Sequence, residues 1–144
     1  MIEYRRIRVS DVGPIADLAF ESMPKDDRLR VSKEKVWRWV TMFATSYEHF
    51  QLAAFEDGVA VAGIAAYVSE MPFYERQEAT IMFCYAKVPG TGFRLLRALM
   101  RFVNESMLIR RVQWAQNTFD ERIVRLARRL GFTESHPVLM FHKG

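Results

Sequence analysis

Cysteine is nearly absent: Cys84 is the only one among 144 residues. A lone thiol closes no intrachain disulfide and supplies no multi-cysteine metal site, and a reducing, cytoplasmic setting is the natural expectation. The three histidines, His49, His136 and His142, fall at no metal-ligand spacing, so no metal is expected. No apolar run approaches the ~18 residues of a membrane span, and Met1–Arg6 lacks the apolar stretch of a secretory leader, which excludes a membrane role from the expectations. Repeats, low-complexity tracts and linkers are missing too. Neither the Gly-Lys-Ser/Thr of a P-loop nor the second glycine pair of a dinucleotide-binding fingerprint occurs.

Half of the residues are hydrophobic, with three Trp, five Tyr and eleven Phe spread along the chain. That is enough for a core, and the length suits one domain over residues 1–144. The net charge of +4 permits an anionic ligand but equally describes a solvated basic surface. Nucleic acid is not an expected partner, because charge and aromatics stand alone, without an RNP-like or helix-turn-helix pattern.

Hydrophobic periodicity and turn chemistry predict an α/β (α+β) domain with the element order β-α-α-β-β-β-α-β-α-β. Tyr4–Val9 reads as a first strand. Ser10-Asp11 offers an N-cap, and Val12, Ile15, Leu18, Ala19 and Ser22 follow at helical spacing. Ser32 caps a second helix with Val36, Val40, Phe43 and Tyr47 on one face. Gln51–Phe55 is a strand, Glu56-Asp57-Gly58 a hairpin turn, and Val59–Ser69 a strand in which Gly63 marks a bulge or a close backbone approach. After a loop at 72–77, Ala79–Ala86 is nearly continuous in apolar residues, which points to a central strand. A helix follows from Phe93 to about Met107, with Leu96, Leu99, Met100 and Val103 inward and Arg94, Arg97 and Arg101 outward. Val112–Asn117 reads as a strand. Asp120 caps a last helix with Ile123, Leu126, Ala127 and Leu130 inside and Gly131 as its C′ residue. Val138–Phe141 closes the pattern as a strand.

The unit that carries chemistry is strand, glycine-rich turn, helix: Lys87-Val88-Pro89-Gly90-Thr91-Gly92. A helix N-terminus presents unpaired N–H groups and a positive dipole end, which suit a pyrophosphate. Two glycines let the backbone approach without a Cβ clash. The amides of Gly90, Thr91, Gly92, Phe93 and Arg94 are the available donors, whereas Pro89 has none.

In these residues the chain resembles the GNAT superfamily of acyl-CoA-dependent N-acetyltransferases. Lys87–Gly92 is similar to that family's Gln/Arg-x-x-Gly-x-Gly/Ala signature, with Lys at the first position, and Ala127-Arg128-Arg129-Leu130-Gly131-Phe132 is similar to its helix ending before the final strand. The element order matches over nearly the whole chain, and Phe73–Phe102 resembles small phage-carried members. The resemblance implies a single GNAT-like domain: a central mixed, mostly antiparallel twisted sheet flanked by about four helices. It implies acetyl-CoA as co-substrate, bound through Lys87, Val88, Gly90, Thr91, Gly92, Phe93 and Arg94, and acetyl transfer to a primary amine of a small molecule or protein. Sheet-edge dimers are common in the family, which leaves a homodimer open. One departure stands out. The Tyr that serves many members as general acid is replaced by Ala127, and the Asn seven residues before it by Asp120. Asn117 lies nearby and can substitute as a pantetheine contact.

Direct transfer needs a group to take the amine's proton and one to protonate the leaving thiolate. Glu78, at the head of the apolar strand, is the first candidate base, with Glu70 second; a solvated strand-end carboxylate is the alternative for each. Tyr85 and Tyr74 can replace the missing acid, or simply pack. Cys84 reads as a small buried hydrophobe. Arg94, Arg97 and Arg101 can meet a 3′-phosphate or form a plain wet helix face. Trp37, Trp39 and Met42, off the buried stripe of the second helix, can line an acceptor cleft or a protein-binding surface. The second of those roles gives the alternative function: a module that binds and regulates another protein, host proteins included.

Overall fold

Asp57 and Gly58 both take positive φ, 50° and 82°. That is what a tight hairpin needs, and β2 (Phe50–Glu56) and β3 (Val59–Glu70) fold back on each other across the pair. The computed structural model describes residues 1–23, 30–114 and 121–133. Within them, β1 (Ile2–Arg5), β2, β3, β4 (Gln77–Ala86) and β5 (Ile109–Gln113) form one sheet in the order β1-β2-β3-β4-β5. The first three pairings are antiparallel and β4–β5 is parallel. The helices are α1 (Val12–Ser22), α2 (Lys33–Thr45), α3 (Thr91–Glu105) and α4 (Glu121–Arg129). The result is the expected mixed, mostly antiparallel α+β architecture. The strand expected at Val138–Phe141, and the candidates Asn117 and Asp120, lie outside the described residues.

Two apolar layers sandwich the sheet. On one face Ile15, Leu18 and Ala19 of α1 and Val40 and Phe43 of α2 bury Ala53, Phe55, Ala65 and Phe83. On the other, Leu95, Leu96, Leu99 and Val103 of α3 cover Ala54, Ala62, Ile64, Ala66, Ala79 and Ile81. Leu95 completes that stripe in place of Met100, which is half-buried. The many alanines of β2 and β3 are buried, so the helices lie close on a thin strand surface.

Several boundaries differ from expectation for local reasons. The first strand ends at Arg5, not Val9. Val9 is 64% exposed and opens a 3-10 turn. Asp11 pins that turn by accepting the Arg8 amide and two guanidinium bonds from Arg5, at 2.7 and 3.1 Å; its side chain does not cap α1. Ser32 does cap α2, accepting the Lys35 amide at 3.2 Å. Tyr47 lies beyond the end of α2 and is exposed, with the Arg6 guanidinium over its ring. Gly63 is the close approach rather than the bulge: a Cβ there would stand 3.3 Å from the Phe83 ring. β4 is not the central strand of the described sheet but neighbours β5. The strand expected over Val112–Asn117 is already formed at Ile109 and ends at Gln113.

Candidate active site

At the end of β4 the chain turns into α3 through Gly90, whose φ of 84° puts it in the left-handed region. Thr91 turns inward: it is 1% exposed, its hydroxyl donates to the Val88 carbonyl at 2.6 Å, and its amide reaches the same oxygen. Helical bonding begins with the Arg94 amide on the Gly90 carbonyl. The amides of Gly90, Gly92 and Phe93 therefore donate to no described residue and stand at the positive end of a 15-residue helix. Lys87 donates its amide to Val61, and its ammonium pairs with Glu21 of α1 at 3.3 Å. The Arg94 guanidinium lies over Tyr4, while Arg97 and Arg129 both lie over the Phe93 ring, at 5.7 and 5.5 Å. Arg97, Arg101 and Arg129 line one open groove between α3 and α4.

Upstream of that turn the sheet forks. β5 pairs with β4 only from Gln77 to Thr80, while β4 runs on to Ala86. Against β3, Ala66 pairs with Ile81 and Ala65 with Phe83, so Met82 is an extra residue in β4. Such a bulge bends a strand and strengthens its twist. From Ile81 to Ala86 the outer edge of β4 pairs with no described strand, and its peptide groups lead directly to the free amides of the glycine turn.

Just below the fork sits Glu78, half-buried with 13% of its side chain exposed. Three donors converge on its Oε2: Arg111 Nε at 2.9 Å, Arg111 Nη2 at 2.5 Å and Gln113 Nε2 at 2.7 Å. Its Oε1 accepts nothing from a described residue. Burial disfavours the charge, but the bonds from Arg111 and Gln113 outweigh it and hold the carboxyl below the usual glutamate range. Glu70, at the same end of the sheet, is exposed and accepts the Gln77 amide nitrogen at 3.1 Å. Tyr85 stands toward the other end of β4, half-buried against the α1 layer, and Tyr74 is exposed in the β3–β4 loop. The structure thus places Glu78 and Glu70 at the same end of the sheet but on opposite faces, since Ser69 pairs with Glu78 and Glu70 with Gln77, and it keeps Tyr85 near the glycine turn. Burial pushes the Cys84 thiol up to about 12, which removes it as a nucleophile near neutral pH. Ala127 lies in α4, and its carbonyl takes the Phe132 amide while Arg128 takes that of Gly131, a Schellman ending around Gly131 at φ 97°. Among the described residues, no group of His, Cys, Asp and Glu could hold a metal ion, and no helix is long and apolar enough to cross a membrane.

Four residues of this region carried no signal in the sequence. Arg111 and Gln113 meet Glu78 only through a parallel register set across an intervening helix. His49 and Tyr67 stack at 4.3 Å, with His49 Nδ1 accepting the Val68 amide, and Trp39 meets the Tyr67 ring edge-on at 5.5 Å. Trp37 instead packs on Gly13 of α1, and Met42 on the α1–α2 layer.

No family model matches the sequence, and no curated protein matches it. Solved structures do. A predicted acetyltransferase with acetyl-CoA from Clostridium acetobutylicum is 16% identical, with TM-score 0.74 over 99% of this chain and 96% of its own. An acetyltransferase of the GNAT family from Streptococcus pneumoniae is 19% identical, with TM-score 0.70 over 92% of this chain and 84% of its own. The fold is that of the GNAT acetyltransferases. An aminoglycoside N-acetyltransferase in complex with CoA, 13% identical, superposes with TM-score 0.72 over 99% of this chain and 95% of its own. At such identities the likeness concerns the fold, and the GNAT architecture is carried here by a sequence that shares few residues with these proteins.

Proposed function

We propose that this chain transfers an acetyl group from acetyl-CoA to a primary amine, of a small molecule or a protein, by direct attack. One observation carries the reading: the edge of β4 from Ile81 to Ala86, unpaired among the described residues, runs into amides at the start of α3 that donate to no described residue. An extended arm with amide groups, such as pantetheine, suits an unpaired strand edge, and a pyrophosphate suits a helix N-terminus reached through glycines. Acetyl-CoA and CoA in two solved neighbours of the same fold support the ligand.

On this reading the amides of Gly90, Gly92 and Phe93 take the pyrophosphate. Thr91 and Val88 hold the turn, and Lys87 adds positive charge at its mouth, shared with Glu21. Arg94, or Arg97 with Arg129, faces the 3′-phosphate. Asn117 and Asp120 follow β5 in sequence and are assigned to the pantetheine arm. Glu78 draws the proton from the incoming ammonium through water, while Glu70, the second candidate, lies on the opposite face of the sheet beside Gln77. The amine nitrogen then bonds to the acyl carbon as the carbon–sulfur bond breaks. With Ala127 where the resemblance to the family implies Tyr, the departing thiolate takes its proton from solvent or from Tyr85.

That same alanine favours a second reading, a GNAT-fold module that binds and regulates another protein, host proteins included, with weak catalysis or none. Calorimetry with acetyl-CoA is the primary test. Heat and a thermal shift are expected, followed by CoA release with a panel of amines. No heat and no shift at saturating acetyl-CoA would overturn the transferase reading. A stoichiometric protein partner retained by a variant unable to bind CoA would favour the module.

A further inference from the structure

Among the described residues, the helices of the α1–α2 face leave Tyr67, Ser69, Glu78 and Thr80 only half-buried. Tyr67 pairs with Thr80 and Ser69 with Glu78, so all four side chains share that face. Arg111 and Gln113 pair with Glu78 and Thr80 from β5 and join them. This polar strip adjoins the aromatic corner in which Trp39, 41% exposed, stands edge-on at 83° to the Tyr67 ring. His49, itself buried, stacks on Tyr67 and is held by the Val68 amide, so the Tyr67 ring has one fixed orientation.

Glu78 is the only group of the strip with a negative charge, and its environment is one-sided. Three donors engage Oε2 and none of the described residues engages Oε1. The clamp fixes the carboxylate in one orientation and leaves Oε1 without a donor among the described residues. Tyr67 is the diagonal cross-strand neighbour of Glu78, a separation of roughly 7–8 Å between backbones. An ammonium held on Oε1 thus has the Tyr67–Trp39 corner as its neighbour along the strip, where the apolar or aromatic body of an amine can lie. Arg111, 51% exposed to solvent, borders the same strip and disfavours a ligand with several positive charges.

We infer that this strip is the acceptor site, that it takes a monoamine whose ammonium rests on Glu78 Oε1 and whose apolar or aromatic body lies on Trp39 and Tyr67, and that Arg111 and Gln113 are the positioning residues of Glu78. The inference rests on the transferase reading and adds to it the class of acceptor. Binding energy from the body of the amine then places its nitrogen at the fork, where the acyl group would lie.

The test uses the full chain with phenethylamine and spermidine as probes. Ligand-observed NMR reports amine binding without acetyl-CoA, and calorimetry reports acetyl-CoA binding separately. The parent is expected to bind and acetylate phenethylamine in preference to spermidine. Trp39→Ala should raise KM for phenethylamine about tenfold, with kcat and acetyl-CoA affinity within about twofold, and Trp39→Phe should recover most of the loss. Arg111→Ala should lower kcat/KM for the amine at least about tenfold while acetyl-CoA still binds, and Arg111→Lys should restore part of it, which a purely structural role would not require. The inference is overturned if spermidine is the better substrate, if phenethylamine fails to bind while acetyl-CoA binds, or if Trp39→Ala leaves the amine KM unchanged. Failure of acetyl-CoA to bind the parent overturns the transferase reading instead, and the NMR arm then decides the amine site alone.

Discussion

Gly92 stands against Ala86: a Cβ built on Gly92 would lie 3.3 Å from the Ala86 Cβ. The glycine lets the first turn of α3 sit close to the last residue of β4, which keeps the free amides at the end of the open strand edge. Gly92→Val should weaken acetyl-CoA binding by about 1.5–3 kcal/mol for each amide hydrogen bond to the pyrophosphate that it breaks. Ala86 is exposed and can shift by a few tenths of an ångström, so Gly92→Ala should lose much less. Calorimetry on both variants, beside their melting curves, checks the order; a Gly92→Val protein that melts normally and binds as tightly as the parent removes this turn from the site.

Gly90 is demanding for a different reason. No atom of a described residue lies within 4 Å of the place its Cβ would occupy, but its φ is 84°. The cost of a side chain there is backbone strain alone. Gly90→Ala should cost about 1–2 kcal/mol, and Gly90→Asn less, because Asn tolerates the left-handed region. Denaturant midpoints measure both; equal losses would mean that a clash, not φ, governs the position.

These glycines were legible in the sequence because each answers a local demand. Asp57-Gly58 and Gly131 were legible for the same reason, and so were most of the stripes of α1 and α3, where spacing sorts buried from exposed except at Ala16, Leu95 and Met100. The fork was not. Ala79–Ala86 is apolar almost throughout, so no alternation betrays the extra residue at Met82 or the place where β5 parts from β4. Nor could spacing show that Arg111 would meet Glu78, since a parallel register is set by packing across α3. Tyr47 continued the helical pattern one step too far: Thr45 ends α2, and the Arg6 guanidinium, just past β1, lies over the exposed tyrosine ring.

The Arg5–Asp11 pair gives a pH signature. Its side chains are 20% and 13% exposed. The guanidinium bonds from Arg5, helped by the Arg8 amide and opposed by burial, hold the Asp11 carboxyl below the usual aspartate range. A carboxyl whose folded pKa is depressed stabilises fully above its unfolded value of about 4, and the contribution is lost as pH falls through the lower folded value. Asp11→Asn should therefore lower the melting temperature near neutral pH, and the gap between variant and parent should narrow as the pH drops below about 4. A gap independent of pH would show that the loop depends on the shape of Asp11 rather than on its charge.

Ala127 separates the two functional readings. Its carbonyl is already committed to the Schellman ending of α4 through Phe132, and a larger side chain leaves that bond intact. Its neighbours Leu126 and Leu130 pack against the α3 layer, while Ala127 itself is half-buried and outside that cluster. Ala127→Tyr thus has room that a core position would not offer. Helix propensity costs it only about 0.5 kcal/mol, against roughly 1–3 kcal/mol if the ring overpacks. A phenol here that reaches the departing sulfur would supply general-acid assistance, typically worth ~10²–10⁴-fold. If the chain is a transferase that protonates its thiolate from solvent, CoA release should rise, or hold level with little loss of stability. If it is a binding module with nothing to keep the cleft open, the melting temperature should fall and CoA release stay at background. The two measurements are made together on both forms, and the second outcome counts against catalysis whatever the affinity for acetyl-CoA.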